Sequence, residues 1–288
     1  MSLAARRFDP SAFLVLTRPG NVALTALSVG VAGAISSPDW PARGGDLLTA
    51  MAAAALVAAG GNAYNDWRDR DLDRLQKPHR PLPAGRVSPG AALLLAQSCL
   101  IAGLILAGWV NPAAQGVALA AGITLILYSR YWKGVPLAGN LAVAFVAGLA
   151  FVFGGLAVGE PGNALWAAAL AFGFHLGREI IKDMEDVPGD SAAGVGTLPV
   201  RYGLPAARGA VLLVFTLLAV LLPLPYYLGN YRSAYLAVAL AGVLPVLILA
   251  AALAWRWSRP EDLHRLGVLL KWDMLAGLGA LYLGRPGG

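Results

Sequence analysis

Cysteine is almost absent from this chain of 288 residues. Cys99 stands alone, so no intramolecular disulfide can form and dithiol redox chemistry is excluded. Histidine is nearly as scarce: His79, His175 and His264 lie far apart with no H-x-x-x-H pair, which leaves no zinc motif. Charge is the third shortage. Only 13% of the residues are Asp, Glu, Lys or Arg, where about 25% is usual for a soluble domain. Aromatic residues do not interleave with a basic surface, so the net charge of +6 and the sequence pI near 9.7 are not a nucleic-acid footprint, and no nucleic-acid partner is expected.

Apolar sequence fills the space. Hydrophobic residues make up 58% of the chain and the mean hydropathy is +0.63. Runs of near-spanning length cover 12–35, 46–66, 90–110, 113–130, 136–158, 163–182, 205–228, 234–256 and 266–284, each long enough for a spanning helix of about 17 residues or more. Barrel strands are far shorter, and a lipid-facing backbone must bond to itself, so the runs are helices. The expected fold class is all-α: a polytopic membrane protein of about nine transmembrane helices around a central cavity, forming one membrane-embedded domain over 1–288.

Charge orients the bundle. With the N-terminus inside, every basic residue except Arg43, Arg232 and Arg285 falls on the cytoplasmic side, as the positive-inside rule demands. That side would carry the Arg6/Arg7 tail and Arg18, the 67–89 segment, Arg130 and Lys133, the 178–208 region and 256–271. The expected location is the cell membrane, crossed many times. The 35 glycines let helices approach closely and need no further role.

One acidic spacing occurs twice in this charge-poor background. Asp66, Asp69 and Asp73 are followed by Asp183, Asp186 and Asp190, both copies reading D-x-x-D-x-x-x-D at the end of an apolar run. On a helix these offsets bring three carboxylates within an arc of about 60°. Asn62 and Glu179 join the same faces one turn upstream. Converging carboxylates repel unless a cation lies between them, and such oxygen donors suit Mg²⁺ held against a substrate phosphate. A single acidic helix end is commonly a solvated face. A second copy with the same spacing, at membrane depth, points to a cavity. A Leu-Pro pair follows each motif, at Leu82-Pro83 and Leu198-Pro199. The chain therefore reads as two four-helix half-repeats, roughly 12–130 and 136–256, plus a terminal helix at 266–284, with both acidic faces across a shared cavity open to the cytoplasmic side. Asn62, Asp66, Asp69, Asp73, Asp183, Asp186 and Asp190 are the candidate metal ligands. Pro188-Gly189 predicts that the second helix ends before Asp190, which would then reach the site from a loop.

The motifs carry a resemblance. Asn62-x-x-Asn65-Asp66-x-x-Asp69-Arg70-x-x-Asp73 followed by Arg80-Pro81-Leu82-Pro83-x-Gly85 resembles the first motif of the UbiA-type membrane prenyltransferases. Arg178-Glu179-x-x-Lys182-Asp183-x-Glu185-Asp186-x-x-Gly189-Asp190 resembles their second, in a form most similar to the synthases that add a second geranylgeranyl chain to geranylgeranylglyceryl phosphate. Arg18-Pro19-x-Asn21, and Tyr128 to Lys133 followed by Gly139-Asn140, also fit the family. The resemblance implies Mg²⁺ as cofactor, a prenyl diphosphate donor, a hydrophobic acceptor and catalysis through Asp66, Asp69, Asp183, Asp186 and Lys133. It implies donor contacts by Asn62, Asn65, Arg70, Tyr128, Arg130 and Lys182. Relatives acting on hydroxybenzoate, naphthoate or chlorophyllide share the plan, so an aromatic acceptor is the alternative. Arg68, Arg74, Arg86 and Arg208 read as topology anchors. A CDP-alcohol phosphotransferase is excluded because Arg70-Asp71-Leu72 stands where that signature requires other residues. A membrane carrier fits poorly, since its site would lie near the bilayer midplane.

Overall fold

The computed structural model describes residues 9–159 and 161–286, so the Arg6/Arg7 tail lies outside the described residues. Every regular element among them is helical. The chain runs through α1 (Pro10–Thr17), α2 (Pro19–Ser36), α3 (Gly44–Gln76), α4 (Pro89–Val110), α5 (Pro112–Leu127), α6 (Ala138–Ala157), α7 (Ala164–Ala192), α8 (Leu198–Leu221), α9 (Leu224–Tyr227), α10 (Ser233–Val238), α11 (Leu244–Arg256) and α12 (Pro260–Leu283). Two π-helical segments, Tyr128–Trp132 and Ala239–Val243, continue α5 and join α10 to α11. Nine helices among the described residues are long and apolar enough to cross a membrane, which makes this a multi-pass membrane protein.

Proline, rich in this chain, starts helices. Pro10, Pro19, Pro89, Pro112, Pro199 and Pro260 all sit in the first two positions of a helix, where a missing N–H costs nothing and the fixed φ is already helical. Asp9, Ser88 and Asn111 then cap α1, α4 and α5 by accepting from backbone N–H groups. Asn111 also donates from Nδ2 to Leu156 O at 2.9 Å, which ties the short α4–α5 hinge to α6.

Several spans differ from the sequence reading in extent. The run 12–35 is two helices, broken at Arg18, whose φ of 54° is left-handed. The cause is Pro19, which disfavours helical backbone in the residue before it. The apolar runs ending at 66 and 182 continue as helix well beyond those positions, because α3 extends to Gln76 and α7 to Ala192. Pro188 does not stop α7: it lies in the last turns, where it forfeits one hydrogen bond while keeping a helical φ, so Asp190 is presented from the helix and not from a loop. The termination comes later, where Ala193, Gly194 and Val195 N–H groups return to Gly189, Asp190 and Ser191 carbonyls. The seventh span starts at Leu198 with a break at Gly203 (φ 82°), and the last starts at Pro260.

The outer surface, unlike that of a soluble protein, is apolar. Leu48, Leu94, Trp109, Val220 and Trp272 are more than 60% exposed, a surface suited to lipid. Inside, one core joins Ile35, Phe151, Ile180, Phe215, Leu247 and Leu270, and a second joins Val29, Leu47, Val57, Ala118 and Phe153. Helices α2 and α6 serve both, and they cross closely at Gly154. A Cβ there would stand 2.2 Å from Val29 O and 2.7 Å from Ala32 Cβ. Because backbone is in the way, Gly154→Ala is expected to cost about 3 kcal/mol, at the upper end for overpacking. Gly116→Ala, with nothing within 4 Å, should be neutral or slightly stabilising. Thermal unfolding of the two variants in detergent compares them; equal melting temperatures would refute the close crossing.

Candidate active site

The first acidic motif lies on the last turns of α3. Asp66, Asp69 and Asp73 are 5%, 9% and 4% exposed, a burial that carboxylates tolerate only when paired. Asp66 Oδ1 accepts from Arg18 at 2.5 Å and from Arg80 at 3.3 Å, while Asp73 Oδ2 accepts from the same Arg80 nitrogen at 2.7 Å. Asp69 Oδ2 accepts from Lys133 Nζ and from Asn65 Nδ2, the latter at 2.7 Å. Ser129 Oγ donates to Asn65 Oδ1 at 3.4 Å, and Asn62 Nδ2 donates to Thr17 O at 2.9 Å. The break at Arg18 thus has a consequence for the site. It turns the guanidinium from the α1–α2 corner onto Asp66, holding a left-handed residue that would otherwise cost about 1 kcal/mol or more.

The second motif lies on α7. Asp183 Oδ2 accepts from Asn140 Nδ2 at 2.8 Å, and Asp190 Oδ2 accepts from Thr197 Oγ1 at 3.3 Å. Glu179 pairs with Arg178 at 2.8 Å and with Lys182 at 3.8 Å. Asp186 is half-buried and stands within electrostatic reach of Lys182 and Lys77. Burial, the larger influence, holds the Lys77 ammonium below the ordinary lysine range, against the opposing pull of the Asp186 carboxylate.

The π segment after α5 joins the two faces. Its wide turn closes through Lys133 N–H to Tyr128 O at 3.0 Å, and such bulges recur where a helix must re-aim side chains. Here it directs Tyr128, Ser129 and Lys133 inward. Tyr128 lies within electrostatic range of both Asp69 and Asp183, and Lys133 pairs with Asp69 while acting on Asp190. Gly139 lets α6 begin against this segment, since a Cβ there would stand 3.1 Å from Trp132 O; that closeness delivers Asn140 to Asp183.

Not every expected donor contact arrives. Arg70 donates to Trp67 O at 3.0 Å and lies over the Trp67 ring, with Asp71 as its carboxylate neighbour. Arg130 is exposed and stacks on Tyr131. Neither is brought to the acidic faces, because on α3 and on the π segment each points away from the face that the aspartates or Lys133 occupy. Conversely, Arg18, Lys77, Arg80, Ser129, Asn140 and Thr197 are at the site without having been assigned a role in the sequence. Arg18, Arg80 and Asn140 did lie in the stretches that carried the resemblance. Of the expected anchors, Arg74 pairs with Asp71, Arg86 with Asp9, and Arg208 donates to the Ala254 and Trp257 carbonyls at the end of α11.

Among the described residues no three His, Cys, Asp or Glu side chains close into a metal cage. The donor set is nonetheless the kind Mg²⁺ uses, since that ion keeps waters and binds through one or two carboxylates together with substrate phosphates. Above the acidic faces opens a cavity of about 250 Å³ between α2, α6, α7, α8 and α12, apolar apart from a few polar residues.

Comparison with known proteins agrees with this arrangement. The model of the UbiA prenyltransferase family matches residues 22–274. A digeranylgeranylglyceryl phosphate synthase of Methanopyrus kandleri is 40% identical over 94% of this chain and 99% of its own length. The enzyme of the same name from Thermococcus kodakarensis is 37% identical over 90% of this chain and 92% of its own. A structure concerning digeranylgeranylglyceryl phosphate synthase in membranes superposes with a TM-score of 0.78 at 30% identity, covering 96% of this chain and 98% of that one. A UbiA homologue from Archaeoglobus fulgidus, bound to GPP and Mg²⁺, shares the fold at a TM-score of 0.71 and 20% identity over 94% of this chain and 99% of its own.

Proposed function

The chain belongs to the UbiA prenyltransferase family, and from that premise we propose that it moves a geranylgeranyl group from its diphosphate to geranylgeranylglyceryl phosphate, forming a second ether and releasing diphosphate. The observation that carries the acceptor is the 40% identity to the Methanopyrus kandleri synthase over nearly the full length of both chains. The site supports the chemistry: two acidic faces share Tyr128 and Lys133 below an apolar cavity.

In this reading Asp66, Asp69, Asp183 and Asp186 would hold Mg²⁺, with Asn62, Asp73 and Asp190 alongside. Mg²⁺ when bound would neutralise the diphosphate and make it a better leaving group. The protein's own cations act with it. Arg18, Arg80 and Lys133 already lie on the carboxylates, and Lys182 is half exposed among them; a diphosphate entering between the faces meets positive charge fixed in place. Asn65 orients Asp69 through its 2.7 Å hydrogen bond. The allylic C1 is then delivered into the apolar cavity, where water is scarce and the acceptor hydroxyl is the nearest nucleophile.

Purified protein supplied with geranylgeranyl diphosphate, Mg²⁺ and either geranylgeranylglyceryl phosphate or hydroxybenzoate is expected to yield a base-resistant diether from the first and nothing from the second. Ring prenylation, with the glyceryl phosphate ignored, would refute the acceptor while leaving the family intact. The donor would enter from the cytoplasmic side with the N-terminus inside. Cysteines placed in the loops at 78–88 and 193–197, after Cys99 is replaced, should therefore be labelled only by reagent reaching the cytoplasmic face. Labelling from opposite faces would separate the two motifs and overturn the shared site.

A further inference from the structure

Two buried polar atoms are left over. Among the described residues, Arg178 Nε and Asp273 Oδ2 are the buried side-chain atoms with no hydrogen-bond partner. Leaving such a group unmade costs on the order of 1–3 kcal/mol, and more where the group is charged. A fold that keeps two of them in one place has a reason for it. Both residues line the same cavity above the acidic faces, and Asp273 is only 5% exposed.

Their positions are complementary. Helices α7 and α12 run antiparallel there, since Glu185 meets His264 at 2.9 Å while His175 and Asp273 share the cavity wall farther along. At 1.5 Å per residue, Arg178 stands about 10 Å and Asp273 about 13 Å above that Glu185–His264 rung. Asp273 is therefore removed from the aspartate motifs by roughly two helical turns. Beside Arg178 the cavity holds Lys271, whose Nζ donates to Asn21 Oδ1 at 3.2 Å. Its far end is lined by Phe151, Phe174, Leu218 and Leu278.

We propose that this cavity is the acceptor site: Arg178, with Lys271, takes the acceptor's anionic group, and Asp273 takes the hydrogen of its reacting hydroxyl. The proposal rests on the reading of the protein as a prenyltransferase to a phosphate-bearing alcohol. One amphiphile of that class suits both side chains, because its phosphate accepts from the Arg178 guanidinium and its hydroxyl donates to the Asp273 carboxylate, whose Oδ2 has no hydrogen-bond partner. Its isoprenoid chain fills the apolar end. In the transfer the hydroxyl oxygen bonds to C1 of the donor as the C1–O bond to diphosphate breaks, and that electron pair leaves with diphosphate. The alkylated oxygen is then an oxonium; its proton passes to the Asp273 carboxylate and a neutral ether remains. An oxonium proton is so acidic that even a weak base in contact with it suffices.

Asp273→Asn and Arg178→Gln in the full-length protein test this by separating acceptor from donor. For Asp273→Asn the expected result is a fall in kcat of about 10²-fold, with the KM for geranylgeranylglyceryl phosphate and the affinity for geranylgeranyl diphosphate within about threefold of wild type. The melting temperature should hold or rise, because an isolated buried carboxylate is removed; a structural role would lower stability instead. Arg178→Gln should raise the acceptor KM about tenfold or more for geranylgeranylglyceryl phosphate, and leave it unchanged for geranylgeranylglycerol, which lacks the phosphate. Turnover of Asp273→Asn within about threefold of wild type overturns the proposal. So does equal weakening of donor binding in both variants, which would give the cavity to the donor chain alone. If Asp273→Asn does not fold, Asp273→Ser reads the same step: it removes the carboxylate, and unchanged kcat with a lowered melting temperature would mark the residue as structural. Wild-type protein that transfers to no glyceryl phosphate at all refutes the acceptor assignment itself, an outcome distinct from active wild type with unaffected variants.

Discussion

Asp66→Ala and Asp183→Ala should each lower prenyl transfer by at least about 10²-fold, and chelation of the metal should abolish it. Asp66 is the meeting point of Arg18 and Arg80, and Asp183 is the carboxylate that Asn140 holds from α6. Each sits on its own copy of the acidic motif, and in the proposed function both copies act on one diphosphate. Losing either therefore removes the same unit, and the double variant should be far less than multiplicatively worse. Asp71 provides the control: it belongs to the same helix but is exposed and, among the described residues, pairs with Arg70 and Arg74, so Asp71→Ala should stay near wild type. Labelled donor, with product counted after extraction, reads wild type and all four variants; EDTA and then excess Mg²⁺ read the metal. Full activity in EDTA, or an Asp66→Ala variant as active as Asp71→Ala, would sink the two-faced site.

The parts of this protein legible in its sequence are those that depend on local pattern. Apolar runs announce spanning helices because each run is its own evidence, and a repeat of three and four residues places Asp66, Asp69 and Asp73 on one face whatever surrounds them. Contacts between distant segments were not legible. Nothing near Arg18 says that it will reach Asp66, since that depends on how the corner before Pro19 turns. Arg70 and Arg130 looked suitable by position but face Trp67 and Tyr131, a matter of helical register and of a π turn that hydropathy does not register. Pro188 misled for a different reason: a proline near a helix end weakens one hydrogen bond, and packing of α7 against α6, α8 and α12 outweighs it. Asp273 lies inside the apolar run 266–284, and the sequence alone drew no role for it. Its meaning emerged only when the fold showed it without a partner, beside a cavity that Arg178 shares.

The second large effect is expected at Lys133. It is paired to Asp69 on the first acidic face and acts electrostatically on Asp190 of the second, and the π turn between Tyr128 and Lys133 aims it. Lys133→Met keeps the length of the side chain and removes the charge. Turnover should fall about 10²-fold or more, because a fixed positive charge against the leaving diphosphate is lost. Stability should fall as well: Asp69 is 9% exposed, and breaking a buried pair from one side costs on the order of 3 kcal/mol. A loss of activity through unfolding alone would look similar, so the two effects need a readout that moves them apart. Carboxylates stripped of Lys133 repel one another, and a bound cation relieves that repulsion more than it does in wild type. Mg²⁺ with geranylgeranyl diphosphate should therefore raise the melting temperature of Lys133→Met by more than it raises that of wild type, while turnover stays low at temperatures where the variant is fully folded. Lys133→Arg, which restores charge without the compact ammonium, should recover stability ahead of rate. A folded Lys133→Met that turns over at the wild-type rate would reduce Lys133 to a latch between α3 and the π segment after α5 and remove it from the chemistry.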